Sequence, residues 1–222
     1  RAVTLEVEVN CNWKPALDAF SENYHFSTVH QLSAGNVMNS PDFPNGQVSA
    51  LRIEGDHHMI TVNSSNVQQE PSFPEGIARK YSLGATLTPE LAAALSWLPK
   101  EINPNRDSNW ITEIMNIFPS TNIQPLAGFV FNEDHWPSAH NKTRWVFTLL
   151  MREPKTAAED VACEYMRALM FDVLREDLNN LEMIQSTLDS GAKKTQILGD
   201  QEVLVRHTYK TVADHVGYGY DK

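Results

Sequence analysis

Apolar and polar residues alternate from Val3 to Val9, the period-two signature of a strand with one buried face. The segment from Asn10 to Pro15 then turns into a helix, with Pro15 suited to its first turn, and this helix is expected to run to about Tyr24. Gly35, Pro41, Pro44 and Gly46 mark residues 31–46 as a loop. Val48–Ile53 and Met59–Asn63 read as a hairpin around a Glu-Gly-Asp turn. Residues 64–78 are polar and proline-rich, which predicts a surface excursion. Thr88 is placed to cap a short helix, Glu90–Leu98. Three further strands are expected at Trp110–Phe118, Ile123–Phe131 and Thr143–Met151. After Pro154, Thr156–Leu188 carries the longest helical periodicity of the chain, and Gly191 follows as a stop signal. A final helix is expected from Glu202 to about Val216. The pattern predicts one α+β domain, several antiparallel strands packed against a few helices.

The long helix contains one anomaly. Met170, Val173, Leu174, Leu181, Ile184 and Leu188 fall within a ~100° arc, while Asp172, Arg175, Glu176, Asn179 and Glu182 occupy the other side. Asp177 lies in the middle of the apolar arc. A carboxylate there loses hydration and requires compensation, from a metal cation, a buried Arg or a hydrogen-bond network.

Near the N-terminus, Asp18, Glu22 and His25 are spaced by four and three residues, so on a continuous helix they share one stripe. His30 lies five residues beyond His25, a step of ~140° that points the two imidazoles apart. Both can reach one ion only if the helix ends or bulges between Phe26 and Val29. Two imidazoles and one carboxylate form the ligand set that non-haem Fe(II) uses with O2. On spacing alone the three residues also read as ordinary polar positions. His135 and His140 repeat the spacing in a polar segment expected to be loop. His57 and His58 are adjacent in a strand, where side chains point to opposite faces.

Composition narrows the function. The 222 residues are 41% hydrophobic and 9% aromatic, enough for a substantial core. No apolar run reaches the ~20 residues of a membrane span, and no signal peptide opens the chain. The net charge of −10, with no basic stripe, argues against nucleic acid. Cys11 and Cys163 form no metal or disulfide motif, which fits a reducing cytoplasmic setting. Arg1 in place of Met suggests a piece of a longer protein.

The run Asn12-Trp13-Lys14, then Asp18-Ala-Phe20-Ser-Glu22-Asn-Tyr24-His25-x4-His30, resembles the catalytic domain of Rieske non-haem iron ring-hydroxylating oxygenases, alpha (large) subunit. The segment Phe171-Asp-Val-Leu-Arg-Glu-Asp177-Leu-Asn-Asn-Leu-Glu182 resembles the helix that carries the family's third ligand. The similarity extends from residue 1 to about 216. It implies a helix-grip fold, a curved antiparallel sheet wrapped around a long C-terminal helix. It implies His25, His30 and Asp177 as ligands of a mononuclear Fe(II), and Glu22 as the acidic residue that carries electrons across a subunit boundary. Family sites there have Asp as well as Glu, which is longer by a methylene.

The resemblance further implies a small aromatic or apolar substrate and O2, with dihydroxylation, hydroxylation or demethylation as the reaction. Phe20, Phe26, Met170, Val173 and Leu174 flank the ligands and are expected in the substrate pocket, although each is also an ordinary core candidate. Electrons would come from NAD(P)H through a reductase, sometimes with a ferredoxin, and a Rieske [2Fe–2S] cluster. The family's C-x-H and C-x-x-H cluster motifs cannot be formed from Cys11 and Cys163. Residues 1–222 are therefore expected to be the catalytic domain alone, with the cluster on a missing domain or a partner. A homotrimer, with or without beta subunits, follows from cross-subunit electron transfer in the family. The alternative is a non-enzymatic helix-grip carrier of a hydrophobic ligand, in which Asp177 pairs with a basic side chain. A hydrolase lacks a nucleophile motif such as G-x-S-x-G.

Overall fold

The computed structural model describes residues 1–33, 47–63, 73–81, 99–126, 129–192 and 194–218. The strands are β1 (Ala2–Val9), β2 (Gln47–Glu54), β3 (His57–Asn63), β4 (Trp110–Ile117), β5 (Thr121–Leu126), β6 (Phe129–Ala139) and β7 (Lys142–Met151). The helices are α1 (Trp13–Asp18), α2 (Phe26–Val29), α3 (Phe73–Tyr81), α4 (Ala157–Asp189) and α5 (Val203–Val216), with a 3-10 turn at Asp200–Glu202. Loop residues 34–46 and the expected helix Glu90–Leu98 lie outside the described residues.

The seven strands form one antiparallel sheet in the order β1-β7-β6-β5-β4-β3-β2. Strands β2 to β7 follow one another as a meander, and β1 closes the far edge against β7. Gly55 turns the β2–β3 hairpin with φ +58, a conformation that costs glycine little. Alternation along β6 buries Phe129, Phe131, Glu133 and His135 on one face. That face meets α4: Phe131, Trp145, Phe147 and Leu149 share a core with Met166, Leu174 and Leu181. Phe147 and Phe171 pack edge to face, with centroids 5.9 Å apart.

Helix α4 has 33 residues, about 50 Å at the usual rise. Thr156 caps it by accepting from the Glu159 N–H at 3.2 Å, and Glu159 and Asp160 place negative charge where the helix dipole favours it. Gly191, at φ +66, follows its end. The result is a sheet gripping a long C-terminal helix, as expected of a helix-grip domain. Among the described residues, no helix is long and apolar enough to cross a membrane.

Four local expectations are corrected. The helix beginning near Pro15 ends at Asp18 instead of Tyr24. Asp18 is held by the Tyr209 hydroxyl at 3.0 Å, and Ser21 and Asn23 are poor helix formers. The expected strand Ile123–Phe131 is two antiparallel strands, one ending at Leu126 and the next beginning at Phe129. The expected excursion over residues 64–78 contains the start of α3, which Pro74 opens from its first turn. The segment around His135 is strand, with a register irregularity between Pro137 and Ala139 that accommodates the proline.

Candidate metal centre

His25 and His30 flank the single turn of α2, one at each end. The turn is unbroken from His25 to Val29 and leaves helical geometry only at His30, so the expected bulge within Phe26–Val29 is replaced by a helix end at its last residue. Their ring centroids are 5.2 Å apart, and the Phe26 ring packs 4.8 Å from one and 4.7 Å from the other. Asp177 arrives from the buried line of α4 between Leu174 and Leu181, with 6% of its surface exposed. Potential ligand atoms of His25, His30 and Asp177 all lie within 4.8 Å of one another.

Hydrogen bonds orient both rings. Glu22 Oε1 lies 2.5 Å from His25 Nδ1, and its Oε2 accepts the His25 backbone N–H at 3.2 Å. Glu176 Oε2 lies 2.9 Å from His30 Nδ1 and accepts the Ser33 hydroxyl at 2.5 Å. A carboxylate only accepts, so each Nδ1 carries the proton and each Nε2 is left with its lone pair. This carboxylate–histidine arrangement is the usual support of a metal-binding imidazole.

His30 Nε2 is 3.2 Å from Asp177 Oδ1. A lone pair and a carboxylate oxygen at that distance repel unless a proton or a cation lies between them. Burial disfavours the His30 cation, yet Asp177 and Glu176 outweigh it and raise its pKa above the usual value. The same spacing suits a metal, because donors ~2.1 Å from one ion and at right angles sit about 3 Å apart. The site thus gathers three carboxylates around two imidazoles that are neutral in their metal-ligating form. A divalent cation would relieve that excess of negative charge.

The remaining candidates read from the sequence are dispersed. Asp18 leaves the Glu22–His25 stripe and binds Tyr209; burial pushes its carboxyl up to about 7. His57 and His58 point to opposite faces as expected, one exposed and one buried. His135 is fully buried in β6, whereas His140 follows the strand. Phe20 packs against both core clusters and Phe26 against the smaller one, while Met170 and Leu174 join the larger core. Val173 is partly buried on α4. Cys11 and Cys163 are free thiols. Glu176 and Ser33 join the site without a motif to mark them; the only sequence signal for Glu176 is adjacency to Asp177.

The fold has solved counterparts of low sequence identity. Naphthalene 1,2-dioxygenase from Rhodococcus sp., bound to indole, superposes with a TM-score of 0.66 at 14% identity, over 95% of this chain and 55% of that one. The quaternary ammonium Rieske monooxygenase CntA, in complex with an inhibitor, gives 0.62 at 15% identity over 96% and 48%. Dicamba monooxygenase bound to 3,6-dichlorosalicylic acid gives 0.60 at 12% identity over 99% and 61%. This chain therefore spans about half the length of the CntA chain it matches. No curated protein matches it. Residues 1–218 match the family described as ring hydroxylating alpha subunit (catalytic domain), and the chain belongs to that family.

Proposed function

We propose that this chain is the mononuclear-iron catalytic domain of a ring-hydroxylating oxygenase, with His25, His30 and Asp177 holding one Fe(II). The observation that carries this reading is the convergence of their ligand atoms within 4.8 Å, each imidazole oriented by a carboxylate on its far nitrogen. When bound, Fe(II) with three protein ligands retains open positions for O2 chemistry. The protein's own groups supply orientation and exclusion of water. Glu22 and Glu176 fix the rings, and Phe26 packs against both of them. Phe20, Met170, Val173 and Leu174 are proposed to wall the substrate, an aromatic or related apolar molecule.

Glu22 is buried and touches His25 at both the ring and the backbone, so it is the carboxylate in direct contact with the first ligand. We assign it the electron bridge. The donor would be a Rieske [2Fe–2S] domain supplied with electrons from NAD(P)H by a reductase, with or without a ferredoxin, in a homotrimeric assembly. Family membership supports this reading over a hydrophobic-ligand carrier.

Protein purified without oxygen and equilibrated with Fe(II) is expected to retain about one iron per chain. His25→Ala, His30→Ala and Asp177→Ala should each lose most of it. Unchanged iron in all three variants would refute the site.

A further inference from the structure

Directly opposed positions on five neighbouring strands form a row across the inner face of the sheet: His58, Asn116, Asn122, Glu133 and Phe147. One end of the row is satisfied. Ser21 Oγ lies 3.1 Å from His58 Nε2 and accepts from Asn116 Nδ2 at 3.4 Å. The middle is not. Asn122 is fully buried, and among the described residues neither its Nδ2 nor its Oδ1 has a hydrogen-bond partner. Glu133 Oε2, His135 Nε2 and Trp145 Nε1 are also buried without one.

Glu113 shows what a satisfied buried carboxylate looks like in this fold. It accepts from the Thr61 hydroxyl, the Asn103 N–H and the Trp110 indole at 2.7, 2.6 and 3.2 Å. Among the described residues, Glu133 receives only Gln124 Nε2, at 3.3 Å on Oε1. The Trp145 indole is near enough to favour the ionised carboxyl but makes no hydrogen bond of ordinary geometry. A buried polar atom left unpaired has given up its hydrogen bonds to water without replacement, which disfavours the folded state. Several in one patch point to a surface that a ligand completes.

The patch has a definite donor and acceptor pattern. His135 Nδ1 donates to the Ser120 carbonyl at 3.2 Å, which leaves Nε2 as an acceptor 3.9 Å from Glu133 Oε2. Asn122 offers both roles, and Trp145 Nε1 only donates. Phe20 adds an apolar wall, with centroids 5.8 Å from His135 and 5.9 Å from Trp145. Trp145 shares a core with Leu174 and Leu181, which flank Asp177 on α4, so the patch lies on the sheet face turned toward the candidate iron site, and the Asp177 charge opposes ionisation of Glu133. An anion would face two acidic side chains. A cation would leave the Trp145 and Asn122 N–H groups unpaired.

We infer that Asn122, Glu133, His135 and Trp145 form a polar recognition subsite for an aromatic substrate carrying an uncharged group that both donates and accepts hydrogen bonds, such as a hydroxyl. This deepens the proposed function and rests on it. A site built to hydrogen-bond such a group discriminates against the analogue that lacks it.

The test uses three probes of one shape, benzyl alcohol, ethylbenzene and benzylammonium, titrated calorimetrically into the protein with and without Fe(II). Benzyl alcohol should bind at least as tightly as ethylbenzene despite its greater affinity for water, and tighter than benzylammonium. Asn122→Leu and His135→Phe should each shift the alcohol-to-hydrocarbon affinity ratio about tenfold toward ethylbenzene, the loss of roughly one hydrogen bond. Tighter binding of ethylbenzene or benzylammonium to the unmodified protein, binding of none of the three, or an unchanged ratio in folded variants would overturn the subsite. If the variants do not fold, the three-probe comparison on the unmodified protein decides alone. Iron content measured on the same samples separates the two claims. Normal iron without alcohol selectivity sinks the subsite only, whereas absent iron with selectivity intact sinks the metal reading only.

Discussion

His30 Nδ1 and Glu176 Oε2, 146 positions apart in the chain, lie 2.9 Å from each other. That bond fixes the ring so that Nε2 faces Asp177. Glu176→Ala should therefore weaken metal binding about 10–100-fold without removing a ligand. Glu176→Gln retains an acceptor oxygen and should recover most of the loss. Competitive titration against a metal-binding dye measures both; equal affinity in the Ala variant and the unmodified protein would remove Glu176 from the site.

Glu22 holds His25 by two bonds, one to the ring and one to the backbone. Glu22→Gln keeps an acceptor for Nδ1 and should retain iron near the normal content. Its NADH-driven turnover, measured with a Rieske protein and reductase supplied, should fall by at least an order of magnitude if the carboxylate carries the electron path. Normal turnover in Glu22→Gln would leave Glu22 as an orienting residue alone.

Leu174 is both a pocket candidate and a member of the main core, with 3% exposure. Leu174→Ala should cost about 2–5 kcal/mol in chemical denaturation, as expected for a buried leucine that leaves a cavity. A cost well below 1 kcal/mol would mean that the side chain borders open space instead of packed atoms.

His58 is held neutral. Burial, then the neighbouring His207 and His57, pushes its pKa down from 6.5 to about 3. The unfolded chain binds a proton at His58 below pH 6.5 that the folded protein refuses, so stability is lost as pH falls from 6.5 toward 3. Relative to His58→Gln, which does not titrate, the unmodified protein should lose roughly 3 kcal/mol between pH 7 and pH 4. Urea unfolding at a series of pH values reads the difference; parallel curves would show that His58 titrates normally in the folded state.

Much of this architecture is legible in the sequence because it rests on periodicity. Alternation marks β1 and β7, and the apolar arc of α4 makes Asp177 conspicuous as a carboxylate that needs a partner. The partners are harder to read. Glu176 belongs by periodicity to the polar side of α4, and only tertiary placement of α2 brings His30 to it. The end of α1 at Asp18 depends on Tyr209, which lies in α5 far along the chain. Polar composition and Pro137 disguise β6 as loop, although burial of Glu133 and His135 in that strand creates the unsatisfied patch. Local pattern records which face of an element is apolar, whereas a polar residue in a core is explained only by what it meets across the fold.

The most direct measurement of the proposed centre is an anomalous-difference map from crystals grown without oxygen in Fe(II), collected on both sides of the iron absorption edge. It should show one peak per chain, about 2.0–2.3 Å from Nε2 of His25, Nε2 of His30 and a carboxylate oxygen of Asp177. A map with no peak there, in crystals where these three side chains are ordered and bonded only to one another, would contradict it.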